Sequence, residues 1–175
     1  MPSPTSPSYS SLTADLAGFL AGLNGSVDER LLTSATDRLV DTVASMVFGA
    51  EKPWSRMAID HAVSSGAIGR STIIGESDTG TTPTMAALAN GASAHAFELD
   101  DVHEEAINHP GAVVVPVALA LAEDLNRTGR DLLEAIVIGY EAMGRAGIAV
   151  GPAAHMLAGF HPTSMSGVFG AAAAA

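Results

Sequence analysis

The sequence predicts an all-α, multi-helix bundle, and three observations carry that expectation. Apolar residues recur at helical spacing in several long segments. Those segments are bounded by capping residues, by prolines at first helical positions and by glycines at their ends. The composition is 47% hydrophobic, 5% aromatic and 15% charged, so the core is filled by Ala, Val, Leu, Ile and Gly, with backbones packed closely. At 175 residues the chain suits one domain with a sizeable core.

The elements follow in order. Residues 1–11 are rich in Pro and Ser and are expected to form a loose tail; residues 12–175 form the helical domain. Leu12, Leu16, Phe19, Leu20 and Leu23 recur at helical spacing, and Asn24-Gly25 closes that helix. Ser26-Val27-Asp28-Glu29 reads as a capping box. It opens a longer helix with an apolar stripe of Leu32, Leu39, Val43, Met46 and Val47, ended by Phe48-Gly49. Pro53 starts a helix over 54–63. Residues 71–75, Ser-Thr-Ile-Ile-Gly, are the one short strand-like run. Thr82-Pro83 caps and starts a helix reaching about residue 97. Residues 111–123 read as a buried helix containing Pro116. Thr128-Gly129-Arg130-Asp131 is a turn leading into a helix over 132–150, with Ile136, Tyr140 and Met143 on one face, broken by Gly151-Pro152. Residues 153–160 form a connector containing His155, and His161-Pro162-Thr163-Ser164 opens a last helix of Gly, Ala, Val and Phe. That helix reaches Ala175 without a cap or polar stop, so the protein is expected to continue past it.

Charge excludes several functions. The net charge of −11 leaves no basic stripe for phosphates and argues against nucleic acid and against an anionic membrane surface. No basic residue precedes Arg30, so no secretory signal is expected. The apolar run at 111–122 is too short to span a bilayer. Cysteine is absent, which excludes thiolate chemistry and is compatible with the expected cytoplasmic location.

The chemistry gathers in 87–110. A run of small apolar residues ends there in His95, Glu98, Asp100, Asp101, His103, Glu104, Glu105 and His109. Carboxylates at a helix C-terminus stand at the negative end of its dipole, and such broken local rules cluster at functional sites; a solvated acidic loop is the plain alternative. His109-Pro110 and His161-Pro162 each precede a helix start. Backbone N–H groups at such a start can hold a ligand carboxylate, and the same positive end keeps an adjacent imidazole neutral and basic. A His that merely caps its helix is the other reading.

Motifs for a metal are weak. His95-Ala-Phe-Glu98 reverses the Glu-x-x-His order of di-iron bundles and has no second copy, and His-Glu-x-x-His is absent. No phosphate loop or nucleophile elbow occurs. On motif grounds a metal site is the less favoured reading.

Several spaced motifs carry a resemblance: Ala-Leu-Ala-Asn-Gly at 87–91, Ala-His-Ala-Phe-Glu-Leu-Asp-Asp at 94–101, His-Pro-Gly-Ala-Val-Val-Val-Pro at 109–116, Gly-Tyr-Glu at 139–141 and His-Met-Leu-Ala-Gly-Phe-His-Pro-Thr at 155–163. Together they resemble the MmgE/PrpD family, whose members include 2-methylcitrate dehydratase, cis-aconitate decarboxylase and iminodisuccinate epimerase. The resemblance implies a large helical domain followed by a smaller α/β lid, of which this chain is the N-terminal, truncated part. It implies a homodimer without metal or organic cofactor. It also implies chemistry that moves a proton at a carbon next to a carboxylate, after which water or carbon dioxide is lost or the other face is re-protonated. The family's first site acid falls on Glu98, where several relatives carry Asp, its loop histidine on His109 and its later histidine on His161; its site lysines fall past Ala175.

The expected function is a cofactor-independent lyase or isomerase of a small di- or tricarboxylate, similar to 2-methylcitrate dehydratase, with the fragment alone inactive. His109 and His161 are the candidate base and acid, and Glu98 orients or shares a proton with one of them. Asp101, His103, Arg145 and Thr163 are the candidate substrate-binding residues, with a structural or rim role as the alternative for Asp101 and His103. The alternatives in other classes are a non-catalytic carboxylate-binding or oligomerisation module and a helical metal-dependent hydrolase or oxygenase.

Overall fold

The computed structural model describes residues 12–66, 68–76 and 80–175; the expected 1–11 tail lies outside them. The described residues form eight helices and one two-stranded sheet: α1 (Leu12–Leu23), α2 (Glu29–Gly49), α3 (Pro53–Ser64), β1 (Ser71–Thr72), β2 (Gly80–Thr81), α4 (Pro83–Ala94), α5 (Gly111–Asp124), α6 (Gly129–Val150), α7 (Pro152–Leu157) and α8 (Pro162–Ala174). The architecture is all-α, as the periodicity implied. The strand-like run at 71–75 shortens to β1, which pairs antiparallel with β2, Ser71 opposite Thr81 and Thr72 opposite Gly80.

Helix ends follow local chemistry, with three departures from expectation. First, Asp28, not Ser26, caps α2: its carboxylate accepts from the Arg30 and Leu31 amides at 2.9 and 3.0 Å. Ser26 instead donates its hydroxyl to the Gly22 and Leu23 carbonyls at the end of α1. An ionised acceptor outcompetes a hydroxyl at the positive end of a helix. Second, α4 stops at Ala94 and His95 is its C-cap, so the acidic segment is loop. Third, the 153–160 connector contains the helix α7. At α6 the turn at 128–131 is a full capping box, Thr128 accepting from the Asp131 amide and Asp131 from the Thr128 amide.

α6 packs on α8, α5 on α4, and α4 on α2 and α3. One core joins Met46 of α2 to Val114 and Val115 of α5 and Ile136 and Met143 of α6. A second joins Ile59 of α3 and Ile73 to Ala86 and Ala89 of α4 and Ala120 of α5. Burying each of the larger side chains contributes about 1.5–3 kcal/mol. Val47, placed on the α2 stripe by its spacing, is exposed, because the helix turns Met46 inward at the adjacent position. Asn90 ties α4 to the β1 segment, accepting from the Ile74 amide and donating to the Thr72 carbonyl, each at 2.9 Å.

Small residues set the closeness of the helices. Pro116 has no amide proton and leaves the Ala112 carbonyl without its helical donor. Gly91 of α4 fits against that gap: a Cβ there would lie 3.1 Å from the Ala112 oxygen. Between α6 and α8, a Cβ on Gly170 would meet the Met143 Cβ at 2.8 Å and the Gly139 oxygen at 3.1 Å. Gly170→Ala is therefore expected to destabilise by about 1–3 kcal/mol through overpacking. Gly129→Ala, with open space around the added methyl, should leave the denaturant midpoint within about 0.5 kcal/mol. Chemical unfolding of both variants checks the contrast.

Candidate active site

The α4–α5 packing sets the C-terminus of one helix beside the N-terminus of the other. His95 ends α4, and His109 and Pro110 lead into α5. The loop between them doubles back through an isolated antiparallel bridge, His103 to Asn108. Asn108 is fully buried and anchors the loop to two helices, donating to Ser166 Oγ of α8 at 2.9 Å and to the Met143 carbonyl of α6 at 3.4 Å. The aromatic side of the loop is held by Trp54, whose indole N–H donates to the Ala96 carbonyl at 3.0 Å. Phe97 stacks on Trp54 and meets Phe48 edge-on. Two non-glycine residues of this loop take left-handed backbone, Glu98 at φ 50° and Ile107 at φ 49°. A β-branched residue in that region is strained by roughly 1–3 kcal/mol.

Three imidazoles converge here. The His95 ring lies 4.7 Å from that of His109 and 6.0 Å from that of His161, the N-cap of α8. The His109 backbone amide donates to Thr163 Oγ1 at 3.1 Å, which ties α8 to the start of α5. Beneath the rings sits Asp100, its side chain 0% exposed. Its carboxylate is engaged by His95 Nδ1 at 3.1 and 3.2 Å. His109 Nδ1 stands 3.4 Å from Oδ2 of the same carboxylate, close enough for an ionic contact but without the alignment of a hydrogen bond. The Asp100 hydrogen bond and charge raise the His95 pKa above its ordinary value, against a smaller opposing effect of burial. One ring nitrogen each of His95 and His109 and an Asp100 oxygen lie within 4.8 Å of one another; that donor set and spacing also suit a divalent cation. It is not the His95-x-x-Glu98 pair that spacing had suggested.

The other candidates scatter around this cluster. Glu98 reaches its rim, 4.0 Å from His95 Nε2, with a side chain 69% exposed. Asp101 faces away, accepting from the Gly111 amide at 2.9 Å and from the Tyr140 hydroxyl at 2.8 Å. It thus takes the α5 amide that sequence had offered to a ligand carboxylate. Burial first, and then the Asp101 charge, push the Tyr140 pKa up, so the phenol stays a donor. His103 Nδ1 accepts from the Ala106 amide at 3.2 Å, and its ring lies over Gly144. Arg145 bonds Glu141 at 2.6 Å and sits 4.6 Å over the Phe19 ring. Together with Arg38 and Tyr140, His103 and Arg145 line a groove that does not include His95, His109 or His161. His95 and Asp100 are the members of the cluster that sequence reasoning left without a role. Their five-residue separation matches no helical or strand contact, so no periodicity signalled the pair.

Two measurements follow from this geometry. Because the His95 pKa is raised by folding, its pairing stabilises fully below the unfolded value of about 6.5 and fades as pH rises through the folded value. The melting-temperature difference between the protein and His95→Gln should therefore be larger at about pH 5.5 than at about pH 8.5. Ile107→Gly should raise stability by about 1 kcal/mol by removing the left-handed strain, read as a shift in denaturant midpoint.

Among the described residues no helix is long and apolar enough to cross a membrane. Comparison with known proteins places the chain among a set of related enzymes. It is 34% identical over 170 residues to human cis-aconitate decarboxylase, covering 94% of this chain and 35% of that protein. A cis-aconitate decarboxylase-like protein of Aspergillus oryzae is 32% identical over 171 residues, 93% of this chain and 35% of that one. The cis-aconitate decarboxylase of Aspergillus terreus is 30% identical over 147 residues, 81% of this chain and 30% of that one. The chain thus spans about a third of the length of the curated relatives it matches. A family model described as the MmgE/PrpD N-terminal domain matches residues 14–175, and the chain, an all-α domain with its imidazoles gathered where three helices meet, belongs to the MmgE/PrpD family.

Proposed function

We propose that the full-length protein is a cofactor-independent lyase acting on a small di- or tricarboxylate in the cytoplasm, as a homodimer, and that decarboxylation of a cis-aconitate-like acid is its first reaction to test. The observation that carries this reading is the cluster of His95, His109 and His161 over a buried carboxylate. The names of the relatives support the choice of substrate class.

The chemistry asks for little beyond placed protons. In a decarboxylation with a shift of the double bond, an acid donates a proton to the alkene carbon. The bond to the departing carboxylate breaks, and its electron pair forms the new double bond as carbon dioxide leaves. In this reading His109 and His161 donate and accept the protons. His109 is 18% exposed at its side chain, enough for contact with a ligand while most of the ring is held by protein. His161 is exposed at the N-terminus of α8, where the helix dipole favours a bound carboxylate. His95, whose pKa is raised by the Asp100 hydrogen bond, adds positive charge beside the acid groups of the substrate when it is protonated. Thr163 acts here through the His109 backbone, and Glu98 serves at the rim.

Glu98 favours a second reading, a dehydratase similar to 2-methylcitrate dehydratase. A carboxyl group at the rim is a further proton-transfer group, suited to a leaving hydroxyl. Both reactions share the proton transfer next to a carboxylate.

The test follows cis-aconitate with the full-length protein, measuring carbon dioxide and the absorbance of the conjugated double bond. His161→Ala should lower kcat by about 10²–10⁴-fold with an unchanged unfolding transition. Near-normal turnover in that variant removes the proposed role. Interconversion of hydroxy acid and alkene without carbon dioxide selects the dehydratase.

A further inference from the structure

Asp100 sits under the imidazole cluster yet touches no open space, and its role can be argued separately from the groups that meet substrate. We propose that Asp100 is a positioning residue: its buried carboxylate, held by His95 on one side, receives the Nδ1–H of His109 on the other and so leaves His109 Nε2 as the basic nitrogen on the open side. The inference rests on the reading of His109 as a proton-transfer residue, and adds how that ring is oriented and which tautomer it holds.

The geometry supplies the reasons. A carboxylate with 0% side-chain exposure must be paired or hydrogen-bonded, because an isolated buried charge is costly. Among the described residues its hydrogen-bonding and ionic partners are the two imidazoles. His95 Nδ1 engages both oxygens at 3.1 and 3.2 Å, which orients the carboxylate plane. The Oδ2 oxygen then faces His109 Nδ1 at 3.4 Å. That nitrogen is buried and has no hydrogen bond elsewhere. A small rotation of the ring turns the ionic contact into a hydrogen bond, as happens at many sites when a ligand closes on them. A carboxylate bonded to one ring nitrogen decides which tautomer the ring holds and so what the other nitrogen presents. The charged and titratable groups around the pair are Glu98, 4.0 Å from His95 Nε2, and His161, 6.0 Å ring to ring from His95. Glu98 meets His95 at Nε2, the nitrogen that does not engage Asp100.

The strict ordering also explains why Asp100 and Asp101 differ although adjacent. Asp101 spends its oxygens on the Gly111 amide and the Tyr140 hydroxyl, fixing the start of α5. Asp100 spends its oxygens on imidazoles. One holds the helix that carries His109, the other holds the ring.

The test reads the tautomer directly in the full-length protein labelled with nitrogen-15 at histidine. At about pH 7.5, above the usual imidazole range, long-range proton–nitrogen correlation spectra should show His109 protonated on Nδ1. In Asp100→Asn the His109 signal should move to the Nε2–H form or a mixture, with kcat on cis-aconitate down about 10²–10⁴-fold and KM within about threefold. His109 protonated on Nε2 in the unsubstituted protein overturns the proposal, as does an unchanged tautomer in folded Asp100→Asn. Stoichiometric zinc-induced shifts of the His95 and His109 Nδ1 signals also overturn it, since those nitrogens then serve a cation. The unsubstituted spectrum needs no variant, so poor folding of Asp100→Asn leaves a decisive result. Absence of turnover with an Nδ1–H His109 counts against the lyase reading alone.

Discussion

Asp100 is a charge taken out of water, and much of the surrounding structure can be understood as what makes that tolerable. A buried carboxylate must find donors, and here they come from two ring nitrogens that belong to segments on either side of it in the chain. For both rings to reach one carboxylate, the end of α4 and the beginning of α5 must lie side by side. That closeness depends on Gly91 facing the Ala112 carbonyl that Pro116 leaves free. The electrostatic requirement at the loop and the steric permission between helices are thus one constraint seen at two scales.

The loop between the helices bears the cost. Glu98 and Ile107 both sit in left-handed backbone, a conformation that neither residue type favours. Buried Asn108, the His103 bridge, the Trp54 bond to Ala96 and the aromatic packing of Phe97 hold the loop in that shape. Strain kept in place by surrounding contacts is a common property of functional loops. Its consequence here is a set of imidazoles whose spacing is determined by rigid helices rather than by the loop.

The helical domain also separates its polar groups by task. His103, Tyr140 and Arg145 line a different groove from the imidazole cluster, and Asp101 with Tyr140 forms a capping contact for α5. A dense run of acids and histidines in the chain therefore resolves into a buried pairing, a helix cap, a loop bridge and an exposed rim, each with its own partner.

Much was legible in the chain by itself. Periodicity and caps determined the helices, because each is a local property: Pro83 and Pro53 mark starts that the structure reproduces, whereas α6 begins at Gly129, three residues before the expected 132, because the capping box carries the helix back to Thr128. The motifs around 94–101, 109–116 and 155–163 were enough to point to the family. Competition between nearby acceptors was not legible, which is why the cap of α2 moved from Ser26 to Asp28. Nor could spacing say which of three neighbouring acids would be buried. Glu98, Asp100 and Asp101 differ by where the chain turns after α4, and that turn is decided by contacts with α2, α3, α6 and α8. Sequence determined that acids and imidazoles would meet near one helix end. Only the tertiary packing decided that Asp100 lies beneath the rings, Asp101 behind them and Glu98 in solvent, because burial depends on neighbours far away in the chain.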